Sequence, residues 1–98
     1  MENPVTIARI RTSDFASMIT VLFFASIRER LDTDRLMCPP APSVDVLLDM
    51  LCREHGERWS QVLRAPNVIV AVNQEVVETD CALRDADEVA FFPPVTGG

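Results

Sequence analysis

Between residues 42 and 56 the chain carries its clearest helical signal, and this segment restricts the fold more than any other stretch. Ser43 is a natural N-cap, Val44, Leu47, Leu48 and Leu51 recur at helical spacing, and Gly56 supplies the C-terminal stop. Asp45 lies near the positive end of the helix dipole, Asp49 can pair with Arg53 one turn later, and His55 falls in the last turn. A helix with a single apolar face must bury it against something. The segments on either side read as strands, so the something is a sheet.

Residues 19–25 are rich in β-branched and aromatic side chains. Thr20 marks the outward face, which sends Ile19, Val21 and Phe23 inward and leaves Leu22 and Phe24 pointing out. Two large apolar side chains on that outer surface point to a partner or to a helix packed over it. Residues 26–31 suit a short helix or turn, and residues 35–38 suit a second strand stopped by Pro39 and Pro40, so that the two strands form a hairpin-like unit. After the main helix, residues 57–64 continue as helix carrying Trp59, and residues 68–72 form a nearly all-apolar strand of the kind buried inside a sheet. Asn73 and Gln74 turn the chain into a short strand at 75–78. A connector with Leu83 and an Asp85-Ala86-Asp87 turn leads to a last strand at 88–92, ended by Pro93 and Pro94. This order of elements predicts an α+β fold, a β-grasp (ubiquitin-like) roll in which a mixed sheet of about five strands packs on one main helix.

Ninety-eight residues with 48% apolar content suffice for one core that buries about 60–65% of the unfolded surface. We assign residues 18–98 to that domain, with a projecting tail at 93–98. Residues 1–17 show no sustained period and are expected to form a loose extension, and Met18 is a second candidate start. A formal charge of −6 repels phosphate backbones and anionic lipid, which argues against nucleic acid and membrane as partners. No apolar run reaches the roughly 18–20 residues of a span, and no signal peptide is recognisable, so a cytoplasmic location is expected. Cys38, Cys52 and Cys81 are too widely spaced for a metal or redox motif and are expected to be reduced structural thiols. His55 has no neighbouring ligand for a metal, Trp59 reads as a packing residue, and Asp45, Asp49, Glu54 and Glu57 read as solvated surface. No metal and no bound cofactor is expected.

The chemistry points to the other end. The sequence closes Phe91-Phe92-Pro93-Pro94-Val95-Thr96-Gly97-Gly98. Two prolines after a strand remove backbone donors and favour an extended path, and two terminal glycines make a thread slim enough for a narrow channel. A glycine α-carboxylate is unhindered and ionised at neutral pH, with a typical pKa of roughly 3.5, and can attack the α-phosphate of ATP held by a partner enzyme. The resulting acyl adenylate yields a thiocarboxylate when sulfide displaces it. Ordering such an arm costs on the order of 1–2 kcal/mol per residue, so an apolar dock at its root, supplied by Leu22, Phe24 and Phe92, is needed to offset part of that cost.

The segments Val21-Leu22-Phe23-Phe24-Ala25, Arg28-Glu29, Ala71-Val72-Asn73-Gln74 and the twelve residues from Asp87 to Gly98 resemble the small subunit of molybdopterin synthase. The resemblance runs over residues 18–98. It implies a β-grasp sulfur carrier whose terminal glycine, here Gly98, is adenylated by a ubiquitin-activating-like enzyme that consumes ATP, and then becomes a thiocarboxylate. It also implies insertion of Phe92, Pro93, Pro94, Val95, Thr96 and Gly97 into the large synthase subunit, which builds the dithiolene of molybdopterin from cyclic pyranopterin monophosphate in a heterotetramer. Phe24 and Arg28 then match positions at or near the partner surface, joining Leu22, which strand parity already turns outward, and the active site lies mainly on the large subunit. The turn at Asp85-Ala86-Asp87 departs from the pattern, since relatives often place glycine there; the departure costs little if Ala86 avoids positive φ. Two other readings stand beside this one. One is a carrier for thiamine or cysteine synthesis, or a ubiquitin-like modifier; the other is a β-grasp interaction module without chemistry.

Overall fold

The structure, a computed structural model, describes residues 17–94. Five strands and three helices follow one another as β1 (Ile19–Phe23), α1 (Ala25–Leu31), β2 (Arg35–Cys38), α2 (Val44–His55), α3 (Glu57–Leu63), β3 (Ile69–Val72), β4 (Glu75–Val77) and β5 (Glu88–Phe92). The sheet order is β2-β1-β5-β3-β4. β1 runs parallel to β5, and the β1–β2, β3–β4 and β3–β5 pairs are antiparallel, so the sheet is mixed as expected. The last strand therefore occupies the centre of the sheet, and Pro93 and Pro94 follow it there.

Alternation in β1 is strict, with Ile19, Val21 and Phe23 buried and Thr20 and Leu22 half-buried on the other side. Phe23 anchors the helix-facing layer. Its ring meets Trp59 edge-on at 5.3 Å and Phe91 nearly parallel at 5.9 Å. Geometry of this kind adds about 0.5–1.5 kcal/mol per aromatic pair beyond area burial. Leu47, Leu48 and Leu51 of α2 and Val62 and Leu63 of α3 complete the core with Val70, Val89 and Phe91.

The ends of α2 are those read from the sequence. Ser43 Oγ accepts from the Val46 N–H at 3.3 Å, and Gly56, at φ 97°, stops the helix with its N–H on the Cys52 carbonyl at 2.8 Å. Two further orphan donors of the first turn go to the connector. The Val44 and Asp45 N–H groups donate to the Cys81 and Thr79 carbonyls at 3.0 and 2.8 Å, stitching the β4–β5 connector to the main helix. His55 is not simply solvated, because its ring stacks on Trp59 at 3.8 Å. Asp49 pairs with Arg64, not with Arg53: α3 folds back on α2 and brings a partner from fifteen residues away.

Ala86 takes φ 66°, so the assumption that it avoids the left-handed region is corrected. The turn is held there by both neighbours. The Asp87 carboxylate accepts from the Arg84 N–H at 2.7 Å and from Asn73 Nδ2 at 2.9 Å, and the Ala86 N–H donates to the Ser17 carbonyl at 3.0 Å. Ser17 is thereby tied to the domain, while residues 1–16 lie outside the described region. Asn73 and Gln74, at φ 49° and 72°, make the two-residue β3–β4 turn with both central residues left-handed, the hairpin geometry whose twist matches the strands.

Candidate functional site

The helices cover one face of the sheet. The other face holds the site. Strand register places Arg35, Leu22, Ala90, Ala71 and Val76 in one row across all five strands, with Phe92 opposite Ile69 in the next row toward the chain end. Leu22, Phe24, Ala71, Val76, Ala90 and Phe92 line a shallow depression of about 500 Å³, together with Gln74 and Glu88. Val76 is 75% exposed, Met37 48% and Phe24 37%, and it is their grouping on one sheet face, more than any single exposure, that marks an interaction surface.

Phe24 and Phe92 form the centre of this face. Their rings stack at 4.6 Å with planes 2° apart. The contact follows from the backbone: the Phe24 N–H donates to the Phe91 carbonyl at 3.1 Å, which carries the parallel β1–β5 ladder one residue beyond β1. Ala25 then turns the chain at φ 53°, and the Phe24 carbonyl accepts from Ile27 at 3.1 Å as α1 begins. Helix α1 thus starts directly behind Phe24, and its exposed Arg28 lines a separate depression with Glu29, Asp32 and Asp34. Immediately after Phe92 come Pro93, half-buried, and Pro94, exposed; Pro94 lines a second depression of about 580 Å³ beside Ile69, Val76 and Glu78.

Of the residues read from the sequence as a docking surface, Leu22, Phe24 and Phe92 share one face, Pro93 follows directly after Phe92, and Arg28 lies on α1 in a separate depression. Val95, Thr96, Gly97 and Gly98 lie outside the described residues. Ala71, Ala90, Val76 and Ile69 complete the face and were missed. The period-two alternation that placed Leu22 outward would have found Ala90 and Val76 had it been carried through β4 and β5. Among the described residues no group of three or more His, Cys, Asp or Glu side chains is placed to hold a metal ion, and no helix is long and apolar enough to cross a membrane. Cys38 is buried against α2, where loss of water and, secondarily, the Glu54 carboxylate push its thiol up to about 11. It lies away from the docking face and is unsuited to act as a thiolate near neutral pH.

Comparison with known proteins agrees with this geometry. The pattern of the ThiS family matches residues 21–98. The molybdopterin synthase sulfur carrier subunit of Escherichia coli K12 is 45% identical over 82 residues, spanning 83% of this chain and all of the relative. The subunit of the same description from Haemophilus influenzae is 38% identical over 85 residues, again 83% of this chain and all of the relative. Among solved structures, small archaeal modifier protein 1 from Methanosarcina acetivorans superimposes with a TM-score of 0.68 at 22% identity, covering 84% of this chain and 97% of that one. A complex of subunits 1 and 2 of the molybdopterin-converting factor from Helicobacter pylori contains a chain that superimposes with a TM-score of 0.59 at 22% identity, covering 83% of this chain and 99% of that one. At such identities these two structures speak for the ubiquitin-like β-grasp fold alone.

Proposed function

This chain belongs to the ThiS family, and on that premise we propose that it is the sulfur carrier subunit of a molybdopterin synthase, working in the cytoplasm. The observation that carries the reading is the uncovered apolar face centred on the Phe24–Phe92 stack, continuous with the strand from which the arm departs. A carrier needs a handle that a partner can grip close to the reacting end. The central position of β5 supplies it.

The Gly98 carboxylate attacks the α-phosphorus of ATP on a ubiquitin-activating-like enzyme, and pyrophosphate leaves. Sulfide sulfur then adds to the acyl carbon, AMP departs with the electron pair of the C–O bond, and a thiocarboxylate remains. In the second partner, the large synthase subunit, the thiocarboxylate sulfur bonds to a carbon of cyclic pyranopterin monophosphate as a C–O bond of that carbon breaks and its oxygen leaves with the electron pair; water then cleaves the acyl C–S bond, which leaves the sulfur on the pterin and returns the carrier as a carboxylate. Two such deliveries make one dithiolene, and two carriers flank a central pair of large subunits as a heterotetramer.

Residues 92–97 act as the inserted arm. Pro93 and Pro94 limit the conformations the arm must lose, and Leu22, Phe24 and Phe92 contribute the apolar burial that offsets the remaining ordering cost. Incubation of the full chain with the activating enzyme, ATP and a sulfur donor should raise its intact mass by the replacement of one oxygen by sulfur. An unchanged mass alongside an active enzyme control would reject the carrier role, as would full molybdopterin synthesis by a chain lacking Gly98.

A further inference from the structure

All nine basic residues of the 98-residue chain are arginine; there is no lysine. Resting on the reading of Gly98 as the activated group, we infer that this chain is kept free of amine side chains so that its activated C-terminus is reserved for sulfur.

The chemistry of the acyl adenylate gives the reason. Attack by a lysine ε-amine forms a C–N bond, the acyl C–O bond to phosphate breaks, AMP leaves with its electron pair, and the ammonium proton passes to solvent. The amide so formed is not reopened by sulfide, and the carrier is lost. A guanidinium stays protonated at all relevant pH values and offers no lone pair, so arginine supplies positive charge without that hazard. Thiols are different. Acyl transfer to Cys52 or Cys81, both half-buried, would give a thioester that remains activated and that sulfide can reclaim. Among the side chains that hold an acyl group too firmly for sulfide to reclaim, a lysine amine is the strongest nucleophile, because hydroxyls attack far more slowly.

The structure sharpens the point. The four residues that follow Pro94 can span at most about 14 Å, which sets an upper bound on the distance of the Gly98 carboxyl from Pro94. Among the described residues no cationic side chain lines the depressions beside Pro94 and Phe92, and the charged groups that line them are Glu78 and Glu88. A further consequence is that copies of this chain cannot link to one another through side-chain amides.

The test places an amine within reach of the arm. Glu78 is exposed and lines the same depression as Pro94. The full-length wild-type chain, Glu78→Lys and Glu78→Arg are each incubated with the activating enzyme and ATP, with the sulfur donor withheld. The two variants carry the same charge, and only the lysine is a nucleophile. The expected products of Glu78→Lys are a species lighter by one water and covalent dimers, absent from wild type and Glu78→Arg. Their yield should rise about tenfold per pH unit below the ordinary lysine pKa of about 10.4. Equal adducts in wild type or Glu78→Arg would overturn the inference. So would their absence from Glu78→Lys while added hydroxylamine captures the adenylate in the same reaction. If hydroxylamine captures nothing from wild type, the carrier reading itself falls and takes this inference with it.

Discussion

Replacing Ala86 by glycine should stabilise the domain. Ala86 sits at φ 66° on an exposed turn, held there by the Asp87 carboxylate on the Arg84 N–H at 2.7 Å and by its own N–H on the Ser17 carbonyl at 3.0 Å. Left-handed backbone costs an L-residue with a β-carbon about 1–2 kcal/mol, because that carbon approaches the following carbonyl oxygen. Glycine removes the clash but adds about 0.4–1 kcal/mol of conformational freedom to the unfolded chain. The midpoints of these ranges leave a net gain of about 0.8 kcal/mol, and at about 4–8 °C per kcal/mol for a domain of this size Tm should rise by about 3–6 °C. The single tryptophan, buried Trp59, reports unfolding by fluorescence in urea, and the slope of the transition should not change while its midpoint increases. Ala86→Val should move the other way by more than about 1 kcal/mol, since a β-branched residue tolerates this region least. A glycine variant no more stable than wild type, or a valine variant equal to it, would refute the claim that the turn is strained.

Phe24→Ala should leave the isolated carrier folded, losing about 0.5–1.5 kcal/mol from the stacked pair, but should weaken binding to the large synthase subunit at least tenfold, as expected for a central aromatic anchor. Isothermal titration of the two purified subunits reads this directly, and an unchanged Kd would remove Phe24 from the interface. Stability should also fall as pH rises from 9.0 to about 11, because the unfolded chain releases the Cys38 proton across that window while the folded chain retains it. Below that window the thiol is neutral in both states and contributes no slope. With no tyrosine and no lysine in the chain to add a slope there, Cys38→Ala should flatten most of the decline in urea midpoint; an equally steep decline in that variant would contradict the assignment.

Local signals were read correctly where one segment of chain decides the outcome. Ser43 caps α2 through its own side chain, Gly56 adopts the positive φ that ends the helix, and the alternation of Ile19, Val21 and Phe23 matches their burial. The pairing of Asp49 with Arg53 failed because helical spacing considers only one helix, and the packing of α3 against α2 offers Arg64 instead. Ala86 was misjudged for a related reason. Alanine has no intrinsic preference for the left-handed region, and only the hydrogen bonds made by Asp87 and Ser17, from outside the turn's own propensity, hold it there.

The set of elements, their inward and outward faces, and the proline-glycine tail follow from residue order alone, since these depend on period, capping and backbone freedom within a few residues. Tertiary structure decided that the last strand inserts between the first and the third, because only long-range pairing with both can satisfy the hydrogen-bonding groups on its two edges. That insertion brings Phe92 against Phe24, sixty-eight positions apart by their numbers, and lays Ala71, Ala90 and Val76 beside Leu22 in a single apolar row. A docking face assembled from four strands has no signature in any one of them.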